Sequence, residues 1–321
     1  MICDTEILAM TMLKGIGPKT IKDIIHTMSE DDCDSLLDLN LSLLATKIRP
    51  QYYSILEDSI ISNDFHKYYQ IALDKINFYN SNNIVLISYM NPSYPKILLL
   101  ADNFPLFLYC KGNISLLNNW NNIAVIGTRD NTELGDKITR KSVDFLCSKG
   151  FVIVSGLALG IDSIAHEQTL INNGKTIAIL VDVENVQPAK NRQLAENILK
   201  NNGLWIAENP PGTKIVPGHF VSRDRIQSGL AAAVFAIETS KNGGTMHAVH
   251  NCLKEERLLF CPDLSKLSYI PCKQIEGIEN LLSEKKAIPY SKETYSVVTT
   301  MINEMIEKLQ QPKKTQRGLF D

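Results

Sequence analysis

The chain has 321 residues, of which 44% are hydrophobic and 21% charged, with a formal net charge of −2 at pH 7. This composition excludes collagen-like, wholly disordered and membrane-spanning chains, and the length predicts one large α/β domain with at least one smaller module. The balanced charge carries no global signature of a nucleic-acid binder, so any nucleic-acid site must be a local patch.

The chain begins without a basic segment followed by an apolar core, so no secretory signal is predicted and we expect a cytoplasmic protein. Its seven cysteines are dispersed and include no Cys-x-x-Cys pair. This pattern argues against a disulfide framework and against a cysteine-based zinc site.

Residues 1–80 are predicted to form a small helical module, because EILAMTMLKGIGPKTIKDIIHTM and SLLDLNLSLLATKI carry apolar residues at helical spacing. Gly15 and Gly17 lie between two predicted helices and permit a tight turn whose amides can meet a phosphate. A helix-hairpin-helix of this kind binds DNA without reading its sequence. The same pattern also occurs in purely structural turns, and both interpretations remain open here.

From about residue 84 the pattern changes to short apolar runs that alternate with predicted helices. The runs are IVLIS, FPLFLY, IAVIG, FVIVSG, TIAILV, LWIAE, AVFAIET and RLLFCP. Near-continuous apolar strands between helices are typical of a parallel sheet covered on both faces. Residues 84–287 are therefore predicted to form an extended Rossmann-like, doubly wound, mostly parallel α/β domain.

The segment ETYSVVTTMINEMIEKLQ predicts a C-terminal helix within 288–310, and 311–321 is predicted to be a flexible tail. A Leu-Phe pair at a flexible end is typical of a docking peptide. The Q-x-x-L-F pattern resembles the peptide by which many bacterial replication and repair proteins bind the β sliding clamp. In that resemblance Gln316 is the polar anchor, and Leu319 and Phe320 fill the apolar pocket.

Ligands of an open parallel sheet bind at the carboxyl ends of its strands, where helix N-termini present unpaired N–H groups. Nearly every predicted loop at these ends carries Gly, Ser, Thr or a basic residue. A single loop of this kind is usually only a tight turn, but several of them at one edge of the sheet favour a phosphate-bearing ligand. The candidates are Gly127, Thr128, Arg129, Ser155, Gly156, Leu157, Ala158, Asn191, Arg192, Gly244 and Thr245. Neither G-x-G-x-x-G nor G-x-x-x-x-G-K-[ST] occurs, which argues against NAD chemistry and P-loop ATP hydrolysis.

The segment FVSRDRIQSGL places Phe220 close to Arg223 and Arg225. An aromatic ring can stack on a base while the two guanidinium groups hold backbone phosphates, a combination suited to a single strand. The alternative is that Phe220 belongs to the core and the arginines pair with acids such as Asp224. The sequence leaves both interpretations open.

Two other constellations are weaker. Asp162 and His166 lie at i and i+4 with Ser155 upstream, as in a hydrolase relay, but VSGLA is not a G-x-S-x-G elbow. We therefore expect Asp162 to be an N-cap or a loop anchor and His166 to be a packing residue. The H-x-x-H-x-C run at 247–252 has poor geometry for a common metal ion, so no metal site is predicted.

The ordered motifs AVIGTR, VSGLALGIDSIAH, KNRQLAENI, AENPPGT, HFVSRDRI and GGT resemble the DNA-processing protein A family (DprA, also called Smf) over residues 5–285. The resemblance implies an extended Rossmann fold that binds single-stranded DNA, a homodimer, and loading of the recombinase RecA. It implies no cofactor and no catalytic residue. The motif positions it marks are Gly127, Arg129, Ser155, Gly156, Asn191, Arg192, Phe220, Arg223 and Arg225.

Four departures from the family pattern bear more on a role in natural transformation than on DNA binding, and one of them is the atypical stretch MHAVHNCL after GGT. Asp224 stands where the family has Asn, and its charge between two arginines is expected to weaken phosphate binding locally. Cys261-Pro262-Asp263 replaces V-P-G. No room remains for the C-terminal winged helix that many members carry.

The first hypothesis is a non-catalytic mediator that binds single-stranded DNA. The alternative is an N-glycosidic hydrolase of the related phosphoribohydrolase class, which uses a P-G-G-x-G-T-x-x-E loop. The corresponding residues 242–249 lack that glutamate, so this loop supplies no carboxylate to act as general acid or base. A nucleotide-sensing or defence scaffold that uses the same pocket is a third hypothesis.

Overall fold

A computed structural model describes residues 2–30 and 48–311. The predicted helix SLLDLNLSLLATKI, apart from its last residue, lies outside the described residues, as does the docking peptide with Gln316, Leu319 and Phe320. The described residues divide into two compact units. The first comprises 2–30, 48–94 and 105–108, and the second comprises 95–104 and 109–311.

The first unit contains four helices in its described part. They are α1 (Asp4–Met10), α2 (Pro18–Glu30), α3 (Pro50–Ile61) and α4 (Asp64–Ser81), followed by strand β1 (Val85–Ser88). Gly15 lies between α1 and α2 at φ +95°, a left-handed conformation that favours glycine. The predicted tight turn is therefore present.

Residues 85–94 belong to the first unit, although the sequence pattern grouped them with the α/β domain. The Asp4 carboxylate accepts the Ser88 N–H at 3.2 Å, and the Tyr89 N–H donates to the Leu106 carbonyl at 3.0 Å. The Tyr94 hydroxyl donates to the Pro105 carbonyl at 2.7 Å. These contacts are long-range in sequence, so local patterning did not reveal them.

The second unit is built on a mostly parallel sheet, which confirms the predicted fold class. Strand β2 (Phe107–Gly112) begins in the first unit and continues into the second. The others are β3 (Asn122–Ile126), β4 (Val152–Ser155), β5 (Thr176–Leu180), β6 (Leu204–Ala207), β7 (Ala233–Ala236), β8 (Leu258–Pro262) and β9 (Ile288–Tyr290). Their order is β2-β6-β5-β4-β3-β7-β8-β9, and only the β2–β6 pair is antiparallel within this described set.

Helices connect the strands of the second unit. They are α5 (Lys96–Leu99), α6 (Glu133–Ser148), α7 (Ile161–Ile171), α8 (Arg192–Lys200), α9 (Pro217–Gly229), α10 (Thr245–Lys254), α11 (Glu276–Ser283) and α12 (Tyr295–Gln310). Helix α12 begins at Tyr295 rather than near 288, because Ile288–Tyr290 pairs with β8 as a short strand. In the described part of the chain, no helix is both long and apolar enough to cross a membrane.

Gly160 ties two strand-to-helix loops together at the start of α7. Its φ is +79° and its ψ is −132°, a conformation that side chains rarely adopt. The Ile161 N–H donates to the Thr128 carbonyl at 3.2 Å. A Cβ atom on Gly160 would overlap that same carbonyl oxygen. A backbone hydrogen bond and a close approach that only glycine allows therefore join the loops after β3 and β4.

Replacing Gly160 by Ala is expected to cost at least about 3 kcal/mol of unfolding free energy, from backbone strain plus the overlap with Thr128. Gly150 is the matched control, since it has φ +76° and a Cβ atom added there would meet no atom within 4 Å. Gly150→Ala should cost only about 1 kcal/mol. Urea unfolding of both variants measures the difference, and equal costs would contradict the close approach at Gly160.

Candidate functional site

A cavity of about 530 Å³, the main cavity, opens at the carboxyl ends of β3 and β7. Three loops and one helix build it: the loops after β3, β4 and β7, and α9. Its lining is Ile126, Gly127, Thr128, Arg129, Ala158, Asp162, Pro217, Phe220, Val221, Arg223, Asp224, Gln227, Thr239, Ser240, Gly243, Gly244, Thr245, His247 and Ala248.

The main cavity collects much of the predicted site. The predicted residues in its lining are Gly127, Thr128, Arg129, Ala158, Phe220, Arg223, Gly244 and Thr245. The predicted residues outside its lining are Ser155, Gly156, Leu157, Asn191, Arg192 and Arg225. The rule that ligands bind at the carboxyl ends of parallel strands therefore predicted the position of the cavity. It did not distinguish the residues that line the cavity from the residues that support its loops.

Several of the outside residues support the loop after β4. The Ser155 hydroxyl donates to the Val125 carbonyl at 2.7 Å. The Asn191 amide donates to the Leu157 carbonyl at 2.8 Å and to the Ala158 carbonyl at 3.2 Å. Asn191 is buried, so its two hydrogen bonds fix the loop from behind rather than face a ligand.

Two predicted arginines are engaged elsewhere. The Arg225 guanidinium lies 2.5 Å from a Glu208 carboxylate oxygen and donates to the Ser222 carbonyl at 2.8 Å. Pairing with a nearby acid was the alternative left open by the sequence. Arg192 is exposed, and its Nε donates to the Val186 carbonyl at 3.3 Å.

Phe220 lies close to two guanidinium groups. Its ring centroid is 5.7 Å from Cζ of Arg129 and 5.6 Å from Cζ of Arg223, within cation–π range. A second cavity, of about 330 Å³, is lined by the same three side chains together with residues that include Leu159 and Ile215. Phe220 and both arginines therefore line both cavities.

Arg223 is buried, with 6% of its surface exposed. Its Nη1 donates to the Gly156 carbonyl at 2.5 Å, and its Nη2 lies 3.5 Å from Asp224 Oδ1. A Cβ on Gly156 would lie 2.6 Å from Nη2 of Arg223 and 2.8 Å from Oδ2 of Asp162. Only glycine allows the guanidinium and the carboxylate to approach the chain this closely.

Asp162 anchors the loop after β4, as predicted. Its Oδ2 accepts the N–H groups of Gly156 and Ala158 at 3.2 and 3.4 Å. Burial raises the pKa of Asp162 to about 6, against the opposing charge of Arg223. His166 is also buried, and burial lowers its pKa to about 3.

The hydrolase relay is not assembled. His166 Nδ1 lies 2.7 Å from the Thr176 hydroxyl, and the Ser155 hydroxyl is bound to Val125. The H-x-x-H-x-C run is also dispersed, because His247 and His250 are exposed while Cys252 is buried. Within residues 2–30 and 48–311, no group of three His, Cys, Asp or Glu side chains is placed to hold a metal ion.

Sequence reasoning missed Gln227, which lies on α9 beside Asp224. The Gln227 Nε2 donates to Asp224 Oδ1 at 3.0 Å. Burial raises the pKa of Asp224, while the Arg223 charge opposes the shift. Helical spacing was the available signal, since positions 220, 223, 224 and 227 share one face.

The loop after β7 completes the main cavity at the start of α10. Buried Glu238 accepts the Thr132 N–H at 2.9 Å and its hydroxyl at 2.5 Å, which fixes the start of α6. Gly243 and Gly244 lead into α10 at Thr245. The first N–H groups of a helix have no intrahelical partner and favour an anion.

Comparison with known proteins gives one family over most of the α/β region. The model of the family "DNA recombination-mediator protein A" matches residues 85–304. The DNA processing protein DprA of Bacillus subtilis is 30% identical over 228 residues, which are 71% of this chain and 75% of that protein. Protein Smf of Synechocystis is 39% identical over 160 residues, but this match spans only 49% of this chain and 40% of that protein.

Two solved structures share the fold. DprA of Streptococcus pneumoniae superposes with a TM-score of 0.74 at 23% identity, covering 93% of this chain and 98% of that one. DprA of Helicobacter pylori, whose structure is described for its single-stranded DNA binding mode, gives a TM-score of 0.59 at 25% identity. That match covers 70% of this chain and 96% of the other.

Asp162→Asn tests the cost of the buried charge in the main cavity. Because the folded pKa of about 6 exceeds the ordinary value of 3.8, ionisation destabilises the folded state, and stability falls as pH rises between these values. The penalty is fully present above pH 6 and amounts to about 3 kcal/mol. The free energy of unfolding of the variant relative to the parent should therefore rise by about that amount between acidic and neutral pH.

Urea unfolding across the pH range measures this difference. The exposed carboxyl Asp144 provides the control variant Asp144→Asn. A difference between parent and Asp162→Asn that stays constant with pH would show that the buried carboxyl carries no such penalty.

Proposed function

Because this chain belongs to the DNA recombination-mediator protein A family, we propose that it binds single-stranded DNA in the main cavity and passes the strand to a recombinase. The similarity to the H. pylori DprA structure supports the choice of nucleic acid. The residues of the main cavity support the mode of binding.

The position of Phe220 carries this proposal. Its ring lines two adjoining cavities and lies within 6 Å of two guanidinium groups, at 5.7 and 5.6 Å. Aromatic rings stack on bases of single strands, and neighbouring cations hold the backbone between them. Successive nucleotides can then occupy the two cavities on either side of Phe220. A duplex keeps its bases paired and stacked inside and cannot use such a ring.

In this proposal the phosphates lie beside Phe220, against the loop that carries Arg129. Arg129 is exposed at the rim of the main cavity, and the loop that carries Arg129 lies beside the Gly-Gly-Thr start of α10. Backbone N–H groups at a helix start and an exposed guanidinium together bind phosphate oxygens without reading sequence. Arg129 is therefore the principal phosphate contact, while buried Arg223 supports the site.

A binding role is favoured over hydrolysis of a glycosidic bond. Ser155 and His166 are engaged with Val125 and Thr176, so neither is placed to act on a ligand. The loop after β7 presents His247 and Ala248 to the cavity and contributes no carboxylate to its lining. General acid/base chemistry on a leaving base requires a correctly placed proton donor.

Charge reversal in Arg129→Glu should weaken binding to an oligo-dT strand by at least about tenfold and lower the slope of log affinity against log salt by about one, since one phosphate contact is lost. Phe220→Ala should weaken binding by roughly 1–3 kcal/mol through lost stacking, with little change in that slope. Fluorescence anisotropy over a salt series measures both, with an equal-length duplex as competitor.

Lys285→Glu supplies the control, because Lys285 is exposed just before β9, at the amino-terminal edge of the parallel strands. Equal losses for Arg129→Glu and Lys285→Glu would remove the main cavity from the proposal. The Arg129→Glu protein should likewise fail to help a RecA-type recombinase act on DNA coated by single-strand-binding protein. A homodimer is part of the proposal, as the family resemblance implies.

We also propose that the segment Gln316-Arg317-Gly318-Leu319-Phe320-Asp321 docks on the β sliding clamp. A Leu319→Ala/Phe320→Ala double variant should lose co-elution with the clamp, because both apolar contacts are removed, and should keep its affinity for oligo-dT. Lys313→Ala/Lys314→Ala is the control for a general effect of tail charge. Retained co-elution of the Leu319/Phe320 variant would rule out this docking peptide.

A further inference from the structure

Five ionisable side chains line the main cavity in the described part of the chain. They come from four elements: Arg129 from the loop after β3, Asp162 from α7, Arg223 and Asp224 from α9, and His247 from α10. When the imidazole is neutral and both carboxyls are ionised, the two carboxylates cancel the two guanidinium charges. The lining then carries no net charge and attracts a phosphate only weakly.

Protonation changes this balance in one direction only. A histidine side chain ordinarily gains its positive charge between about pH 8 and about pH 5. Burial raises the pKa of Asp162 to about 6, so this carboxyl loses its negative charge around that pH. Burial also raises the pKa of Asp224, against the charge of Arg223. Each of these protonations makes the lining more positive, so its attraction for phosphate increases as the pH falls.

His247 is the titrating group of this set that a strand can contact directly. Of the five side chains, only Arg129 and His247 belong to exposed residues. The charge of His247 lowers the pKa of Asp224, and the charge of Arg129 acts in the same direction. The imidazole therefore lies within electrostatic range of a carboxylate in the same lining. Asp162 is buried and acts on a ligand through its charge alone.

We propose that His247 is a second phosphate contact of the main cavity, whose imidazolium form tightens the binding of a single strand as the pH falls from about 8 to about 6. This inference rests on the proposed binding of single-stranded DNA and adds its regulation by pH. The imidazolium ring has two N–H donors and a positive charge, whereas the neutral ring has one donor. Its charged form therefore adds a charge-assisted hydrogen bond to the contact that Arg129 makes.

Helix α10 also supplies a matched control. His250 lies three residues after His247 and is likewise exposed, but it lies outside the lining of the main cavity. Replacing either histidine by Asn removes one titrating charge from the same helix. A difference between the two variants therefore reports the position of the imidazole and not the charge of the helix.

The experiment measures the affinity of the full chain for a 5′-hydroxyl oligo-dT strand by fluorescence anisotropy at about pH 8 and about pH 6. Ionic strength is held constant, and the fluorescent label is one that does not titrate in this interval. Neither thymine nor a phosphodiester changes charge there, so any pH dependence comes from the protein. The parent chain is expected to bind roughly fivefold more tightly at the lower pH, as one added phosphate contact implies.

The variants at position 247 should separate a phosphate contact from a structural role. His247→Asn should bind like the parent at about pH 8, and its affinities at the two pH values should agree within about twofold, because it cannot gain the charge. His247→Lys is charged at both pH values, so at about pH 8 it should already bind as tightly as the parent does at about pH 6. His250→Asn should keep the pH dependence of the parent.

Asp162→Asn distinguishes the imidazole from the buried carboxyl, and its affinity should still rise at the lower pH. Equal affinities of the parent at both pH values would overturn the inference while leaving single-strand binding in place. An undiminished rise in His247→Asn, an equal loss in His250→Asn, or a rise that disappears in Asp162→Asn would do the same. Binding at neither pH would instead overturn the proposed function, and this inference with it.

Discussion

The buried guanidinium of Arg223 is the group on which the site depends. A cation with 6% exposure must be compensated, and Arg223 is compensated by the Gly156 carbonyl, the Asp224 carboxylate and the Phe220 ring. These contacts join the loop after β4 to α9, so the same charge also holds the Phe220 ring and the Asp224 carboxylate in position. Removing it would leave Asp162 and Asp224 without their shared counter-charge, a loss that buried acids tolerate poorly.

The net charge of the whole chain does not reveal this arrangement. A net charge of −2 over 321 residues gives no sign of an anion-binding site. Within α9, however, Arg223 donates to the Gly156 carbonyl, whereas Arg225 pairs with the Glu208 carboxylate. The electrostatic potential in the main cavity is therefore set by Arg129, the start of α10 and the carboxylates of its lining rather than by the number of basic residues in the chain.

The parts of the fold that sequence predicts are those that local periodicity and topology determine. Apolar runs alternating with helices are sufficient for the parallel sheet, and the parallel direction brings the loops after β3, β4 and β7 to one edge. Strand β9 was missed because three residues, one of them Pro289, give no usable alternation. The partners of Arg225 and Asn191 lie far away in the sequence, so the motif positions of these two residues could not distinguish a ligand contact from a support. Gln227 pairs with Asp224 one helical turn away, and helical spacing was the signal for it.

The support network also limits the entropy that the protein loses when a ligand binds in the main cavity. Asn191, Asp162 and Arg223 each hydrogen-bond to backbone of residues 156–158, and Glu238 fixes the start of α6 from the other side of β3. Loops tied at this many points lose little conformational entropy when a ligand binds, so the ordering cost falls mainly on the strand. In the proposed mode of binding, base stacking on Phe220 offsets part of that cost, because phosphate contacts weaken as salt rises while contacts between partly buried groups are screened less. In the proposed mode of binding, the bases that enter the main cavity therefore add to the contacts that the strand makes through its backbone.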